Sequence, residues 1–288
     1  MTICIAAICT MDIDCDEAFR CRSGQEVIIG ISDRMVSSDC AQAEFPLPKY
    51  SQIVGSIVLF SSGSNFLHRQ IFESTKSYVL KDFDNDPRTI PVIDVAELYS
   101  QNLIKYRQRR LDNVVRAWTG LEYENYLKQI DKFNMDVRKN IETRIAKLED
   151  TEAIITGIDE AGAHVYHIRY DGSILFNDKF GLSAIGSGSQ IADIKIIQNI
   201  QTRKSPFKET LIDIYMAKKH AELDPFVGED TDIFIISTDH SVNIVSEDSI
   251  KLLDDLYNEI CAKQKEAIKE AGNRVAAFIK KDKKMELI

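Results

Sequence analysis

The second residue of the chain is a threonine, and a threonine at the head of a chain joins a hydroxyl nucleophile to its own α-amine base. Thr2 opens the apolar run Thr2-Ile3-Cys4-Ile5-Ala6-Ala7-Ile8. Methionine is normally trimmed when the next side chain is this small, so loss of Met1 is expected to free the amine. Unaided, such a threonine is a poor nucleophile. An α-amine has an ordinary pKa of about 7.7 and can take the hydroxyl proton at neutral pH. A neighbouring ammonium pushes the amine toward its neutral form, and a carboxylate must then hold that ammonium. A backbone N–H aimed at the developing oxyanion completes the set.

Each part follows in order. Asp33 ends the stretch Ile28-Ile29-Gly30-Ile31-Ser32-Asp33. Lys49 comes sixteen residues later in Pro46-Leu47-Pro48-Lys49-Tyr50, and Gly63 fourteen further on in Phe60-Ser61-Ser62-Gly63-Ser64, just ahead of a helix. Threonine also suits the task because its β-branch leaves few χ1 rotamers. Singly, each residue has a plainer reading. Thr2 can be a strand start, Asp33 a turn residue, Lys49 a surface lysine after Pro48, and Asp224 a helix-end residue before Pro225. The joint spacing favours catalysis, as a motif hypothesis.

Bulk properties exclude other classes. The net charge is −9 and the pI about 5.2, which argues against a general phosphate-binding surface and so against nucleic acid. No run of apolar residues is long enough to span a membrane. The acidic residues Asp12, Asp14, Asp16 and Glu17 follow the apolar run, which is unlike a signal peptide. The six cysteines form no C-x-x-C pair and no zinc spacing. They read as reduced thiols of a cytoplasmic protein, with a Cys15–Cys21 bridge as the minor alternative. Neither a metal nor a cofactor is expected. Gly186-Ser187-Gly188 is not a dinucleotide loop, because the third small position falls on Ile191. His164 and His167 lie three apart on a strand and face opposite ways, a poor metal site. His68, His220 and His240 read as surface or satisfied core.

The elements that must position these residues alternate in blocks. Strands are expected at Thr2–Ile8, Glu26–Ile31 with a continuation at Arg34–Ser37, and Ile57–Phe60. Helices follow at Ser64–Leu80 and, almost continuously, from Val92 to Glu149 with a break at Thr119–Gly120. Strands return at Ala153–Ile158, His164–Arg169, Ser173–Phe176 and Leu182–Ile185, joined by turns such as Tyr170-Asp171-Gly172. Two helices, Gln190–Asn199 and Lys208–Leu223, precede strands at Thr231–Ser237 and Val242–Val245. A last helix runs from Ser246 to about Lys284, interrupted or bent near Gly272. Antiparallel sheets with helices in pairs between strand blocks predict an α+β fold, a four-layer α/β/β/α sandwich. The whole chain, 1–288, reads as one such domain, with an extended hairpin at about 10–26 and a helical insertion at about 107–150.

The Thr2, Asp33, Lys49 and Gly63 pattern resembles that of the proteasome β-subunit family of N-terminal nucleophile hydrolases. Among its members the chain is most similar to the bacterial types, the ancestral Anbu type and the peptidase of the two-component ATP-dependent protease. Further likenesses lie in Thr156-Gly157-Ile158-Asp159, Tyr170-Asp171-Gly172, Ala184-Ile185-Gly186-Ser187-Gly188-Ser189, and Asp224 eight residues before Asp232. The resemblance implies Thr2 as nucleophile and base, Lys49 tuning the amine, Asp33 orienting Lys49, and Gly63 N–H as oxyanion donor. It assigns Ser187 and Asp224 to the amine and a water. It lines a substrate pocket with Leu47, Ser61 and Asn65, and offers Val36 and Ser37 as the edge that pairs with an extended peptide. Three departures stand out: the long gap from Thr2 to Asp33, Val227 where the family often has serine, and the helical insertion.

By this resemblance the chain is a threonine peptidase acting on peptide or unfolded protein, assembled as a homo-oligomeric ring or open spiral. The sequence holds no ATPase motif, so any unfolding partner is another chain. The alternatives are a non-catalytic scaffold subunit of the same fold and a small-molecule amidohydrolase.

Overall fold

Two five-stranded antiparallel sheets carry the chain's apolar runs. The computed structural model describes residues 2–13, 23–37, 42–44, 48–82, 89–146, 148, 151–198 and 201–281. Residue contacts divide the chain into two units, Met1–Ile244 and Val245–Ile288.

In the first unit, sheet one takes its strands in the order β10 (Leu182–Ile185), β1 (Cys4–Thr10), β2 (Glu26–Asp33), β11 (Thr231–Ile236) and β12 (Val242–Ile244). Sheet two runs β5 (Tyr50–Val54), β6 (Ile57–Ser62), β7 (Glu152–Asp159), β8 (Gly162–Ile168) and β9 (Ile174–Phe176). A short hairpin, β3 (Met35–Ser37) with β4 (Gln42–Glu44), stands apart from both. In sequence β1 is a continuous apolar run, as expected of a strand covered on both faces. Cys4, Ala6 and Ile8 enter a core shared with Val58, Phe60 and Ile154 of sheet two. The outer face of sheet one meets α6 (Phe207–Ala221), which lies along β1 and β2 and packs on α5 (Ser189–Gln198). The outer face of sheet two meets α1 (Asn65–Asp82) and α2 (Val92–Thr119), around Ile71, Val95, Tyr99 and Leu103.

The two sheets are pinned together by three rings. Phe234 of β11 stacks on Phe60 at 5.2 Å and meets Tyr50 in a tilted contact at 4.7 Å. Gly30 makes this possible, since a Cβ there would stand 2.2 Å from the Phe234 ring. The ring contact fixes Tyr50, and with it the preceding residue, Lys49, against the end of sheet one.

The helical segment is less continuous than its periodicity suggests. Gly120 stops α2 in the left-handed region, φ 73°, with its N–H returned to Arg116 O. A short α3 (Tyr123–Lys128), a 3-10 turn and α4 (Met135–Ala146) follow. They close on the far half of α2 around Val115, Tyr126 and Ile141, so one long helix serves two cores. Strand β3 falls within the continuation expected at Arg34–Ser37, whereas β4 and β5 were not expected from the sequence; each is too brief to show a period. Of the hairpin expected at about 10–26, residues 14–22 lie outside the described residues. The same holds for Cys15, Cys21 and Cys40, while Cys4, Cys9 and Cys261 are free thiols.

The second unit is one helix, α7 (Glu247–Lys281), which passes through Gly272 without a break. The expected interruption is absent because a single glycine weakens a helix by only about 1 kcal/mol. Among the described residues no helix is long and apolar enough to cross a membrane.

Candidate active site

The site forms where the ends of the two sheets meet. The β1–β2 register sets Cys4 opposite Ser32, and one further ladder bond runs from Asp33 N–H to Ile3 O at 3.2 Å. Thr2 therefore emerges beside Asp33, the last residue of β2. Lys49 arrives from sheet two, immediately before β5. Thr2 and Asp33 are buried, and the Lys49 side chain is only 9% exposed.

One carboxylate oxygen gathers the three together. The Thr2 hydroxyl donates to Asp33 Oδ1, and Lys49 Nζ lies 2.8 Å from the same oxygen. Lys49 Nζ also donates to Thr2 Oγ1 at 2.5 Å, and Ile3 N–H reaches Asp33 Oδ1 at 3.0 Å. The other oxygen, Oδ2, accepts from Met35 N–H at 3.1 Å and Gly228 N–H at 3.0 Å. Five donors thus converge on one buried anion, which is the condition for keeping a charge out of water. Arg34, next in sequence, forks onto Asp232 of β11, Nη2 to Oδ1 at 2.6 Å, and ties this end of β2 to its neighbour.

Glycines shape the space around Thr2. Gly186, at φ 103° between β10 and α5, lies so close that a Cβ would stand 2.1 Å from Thr2 O. Gly188 N–H donates to that same carbonyl at 3.3 Å. Ser187, between the two, is exposed, and among the described residues it makes no hydrogen bond to Thr2. Asp224 caps its own turn, accepting from Phe226 N–H at 3.0 Å, and is not brought onto Thr2 or Lys49 by a hydrogen bond. Its turn leads directly into Gly228.

Gly63 sits at φ 102° between β6 and α1, a conformation that favours glycine. The turn before it is held by His68, whose Nε2 lies 2.8 Å from Ser62 O and whose Nδ1 lies 2.5 Å from Tyr99 Oη. A carbonyl only accepts, so Nε2 carries the hydrogen and Tyr99 donates to Nδ1. Burial pushes His68 down to about 4, which keeps the ring neutral. Ser61 N–H bonds Lys49 O at 3.4 Å, which places Ser61 beside the site. Val36 and Ser37 lie in β3 and Asn65 begins α1; Leu47 lies outside the described residues.

A thiol borders the Thr2 hydroxyl. Cys4 Sγ is 4.0 Å from Thr2 Oγ1, but burial pushes its thiol up to about 12. It stays protonated and so does not compete as a thiolate.

Sequence reading missed the Ile3, Met35 and Gly228 amides, because a backbone N–H carries no residue-type signature. It also treated His68 as generic core. The signal there was a lone histidine on the inner face of the helix that follows Gly63.

No protein-family model matches the chain, and comparison with curated proteins finds no significant match.

Proposed function

We propose that this chain is a threonine-type N-terminal nucleophile hydrolase of peptide bonds, built as a proteasome β-subunit-like α/β/β/α sandwich. The observation that carries the reading is the shared Asp33 Oδ1, which holds both the Thr2 hydroxyl and the Lys49 ammonium. A surface lysine and a strand-end aspartate have no reason to meet a buried threonine in this way. The pairwise stacking of α6 and α5 on sheet one, sheet one on sheet two, and α1 and α2 on sheet two supports the layered fold.

In this mechanism removal of Met1 leaves Thr2 with a free α-amine. The amine takes the Oγ proton as Oγ attacks the peptide carbonyl carbon. Lys49, 2.5 Å from Oγ1, stabilises charge developing on that oxygen, and Asp33 keeps Lys49 in line. Gly63 N–H donates to the carbonyl oxygen as it becomes an oxyanion. The protonated amine then gives its proton to the departing amine as the C–N bond breaks. Water, deprotonated by the same α-amine, cleaves the Thr2 ester and restores the hydroxyl. Ser187 and Asp224 belong to the water side of the site. The resemblance assigns Val36 and Ser37 to pairing with an extended peptide and Leu47, Ser61 and Asn65 to the pocket for its side chain. In this reading the enzyme is cytoplasmic and works as a homo-oligomeric ring or spiral, and any ATPase that unfolds its substrates is another chain.

The test is intact mass and N-terminal sequencing of the purified protein, followed by a threonine-directed epoxyketone or boronate probe. A chain starting at Thr2, labelled at Thr2 and inactivated for peptide hydrolysis by Thr2→Ala, supports the reading. Hydrolysis that survives Thr2→Ala sinks it.

A further inference from the structure

The carboxylate that organises Thr2 is itself held by a lysine that the mechanism does not use. Lys218 lies on α6 with its side chain fully buried. Its ammonium donates to Glu222 Oε1 at 2.6 Å, Gly228 O at 2.9 Å and Glu229 O at 2.7 Å. Three N–H donors meet three acceptors, so the group is satisfied. Satisfaction still leaves a desolvation cost that an apolar side chain would avoid. The position is one that helical packing ordinarily fills with an apolar residue, four after Ile214 and three before Ala221, both buried. Burial lowers the Lys218 pKa, with Glu222 working against it. A buried cation at an apolar position calls for a reason, and the neighbouring segment supplies one. Gly228 is gripped from both sides: its carbonyl accepts from Lys218, and its N–H donates to Asp33 Oδ2 at 3.0 Å.

We infer that Lys218 is a positioning residue for the Thr2 site. It fixes the Gly228–Glu229 backbone so that the Gly228 N–H stays on Asp33 Oδ2, and so sets the carboxylate plane that carries Thr2 and Lys49. The catalytic consequence rests on the threonine-nucleophile reading; the backbone clamp does not. Without the ammonium, the buried Gly228 carbonyl and the neighbouring Glu229 carbonyl lose their donor and turn toward water. Asp33 Oδ2 then keeps only the Met35 N–H, and Oδ1 can rotate away from the Thr2 hydroxyl. Neighbouring Lys219 provides the contrast. It pairs with the other oxygen of the same Glu222, at 2.8 Å.

The experiment compares the full-length wild type, Lys218→Met and Lys219→Met. Thermal melting confirms the folded state, amide exchange by mass spectrometry is read on fragments spanning 226–230, and steady-state kinetics use a fluorogenic peptide. In Lys218→Met, exchange at Gly228 accelerates and kcat falls about 100-fold, the cost of a displacement of roughly 1 Å in a reacting group. KM stays within about threefold, since substrate contacts are untouched. Lys219→Met matches the wild type in both readouts. Unchanged exchange at Gly228 in Lys218→Met, a wild-type kcat, or an equal loss in Lys219→Met overturns the inference. If the wild type neither hydrolyses peptide nor takes a probe at Thr2, the threonine reading fails on its own. The exchange measurement then still decides whether Lys218 clamps Gly228. Should Lys218→Met not fold, Lys218→Gln, with a shorter neutral donor, is read on the same two scales.

Discussion

Cutting the Lys49–Asp33 pair from each side, and then from both, measures whether the site is one unit. The pair is close, 2.8 Å, and dry, with the side chains 9% and 0% exposed, so solvent screening does little to weaken it. Removing one partner of a buried pair costs about 3–5 kcal/mol. Lys49→Met should fall at the low end, about 3 kcal/mol, because Thr2, Ile3, Met35 and Gly228 still donate to the carboxylate. In a unit of this size that lowers Tm by roughly 6–12 °C. Asp33→Asn is worse. Whichever way the amide turns, its NH2 faces at least two donors, and hydrogen bonds to a charged acceptor contribute roughly 1.5–3 kcal/mol each. A cost of about 3–6 kcal/mol follows, near the edge of what a domain can lose. The double variant should cost about 2 kcal/mol less than the sum, since neither charge is then left without its partner. Guanidinium denaturation followed by circular dichroism gives all four corners of the cycle. In kinetics each single variant loses on the order of 1000-fold in kcat and the double variant little more, as expected of groups that act together. Additive stabilities, within about 0.5 kcal/mol, would show that the two charges do not act as a pair in solution.

Two further perturbations address the surroundings. Gly186→Ala places a Cβ 2.1 Å from the Thr2 carbonyl at a φ of 103°, so the backbone at Thr2 must move. A stability loss of about 1–3 kcal/mol should accompany a kcat decrease of about 100-fold, read by melting and peptide hydrolysis. Away from the site, His164 bridges Asp178 at 2.8 Å and Asp159 at 3.1 Å, with the Arg203–Glu26 pair nearby. The hydrogen bond to Asp178 raises its pKa above the ordinary histidine value, against the effect of burial and with Asp159 adding to it. A raised folded-state pKa contributes stability that is fully present below the unfolded value of about 6.5 and is lost as pH climbs through the folded value. Denaturation curves should therefore show wild-type stability falling as pH rises from about 6.5 through the folded value and levelling beyond it, and His164→Gln should flatten that fall.

How much of this was legible in the sequence depends on what kind of signal each feature leaves. Apolar runs such as Ile28–Ile31 and Ile154–Ile158 announce buried strands directly, and the positions of the two sheets' main strands followed from them. Strands β4 and β5 are a few residues each, and no periodic signal can accumulate over that length. The helical stretch after Val92 shows the opposite limit. Its periodicity is real over most of its length, but Gly120 and the polar turn near Phe133 cut it into pieces that fold back on α2. Periodicity reports which face is apolar and says nothing about whether that face meets a sheet or another helix.

At the site the asymmetry is sharper. Thr2, Asp33 and Lys49 were legible because a hydroxyl, a carboxylate and an ammonium are residue-type signals and their spacing is unusual in combination. The groups that hold Asp33 in place are mostly amides of Ile3, Met35 and Gly228, and any residue but proline has one. Gly228 carries a trace of its role, since a Cβ there would crowd Glu44 and Met35, yet a glycine near a turn has many explanations. Lys218 was more legible than its treatment as an ordinary helix residue allowed. Written on a helical wheel it falls on the stripe of Ile214 and Ala221, where a lysine can stay only if acceptors wait for all three of its hydrogens. Glu222, four residues on, accounts for one of them. The remaining two are carbonyls of irregular backbone, Gly228 O and Glu229 O, in the stretch that follows the Asp224 turn. A lysine on an apolar stripe therefore identifies the loop it fastens, and here that loop is the one whose N–H reaches the carboxylate beneath Thr2.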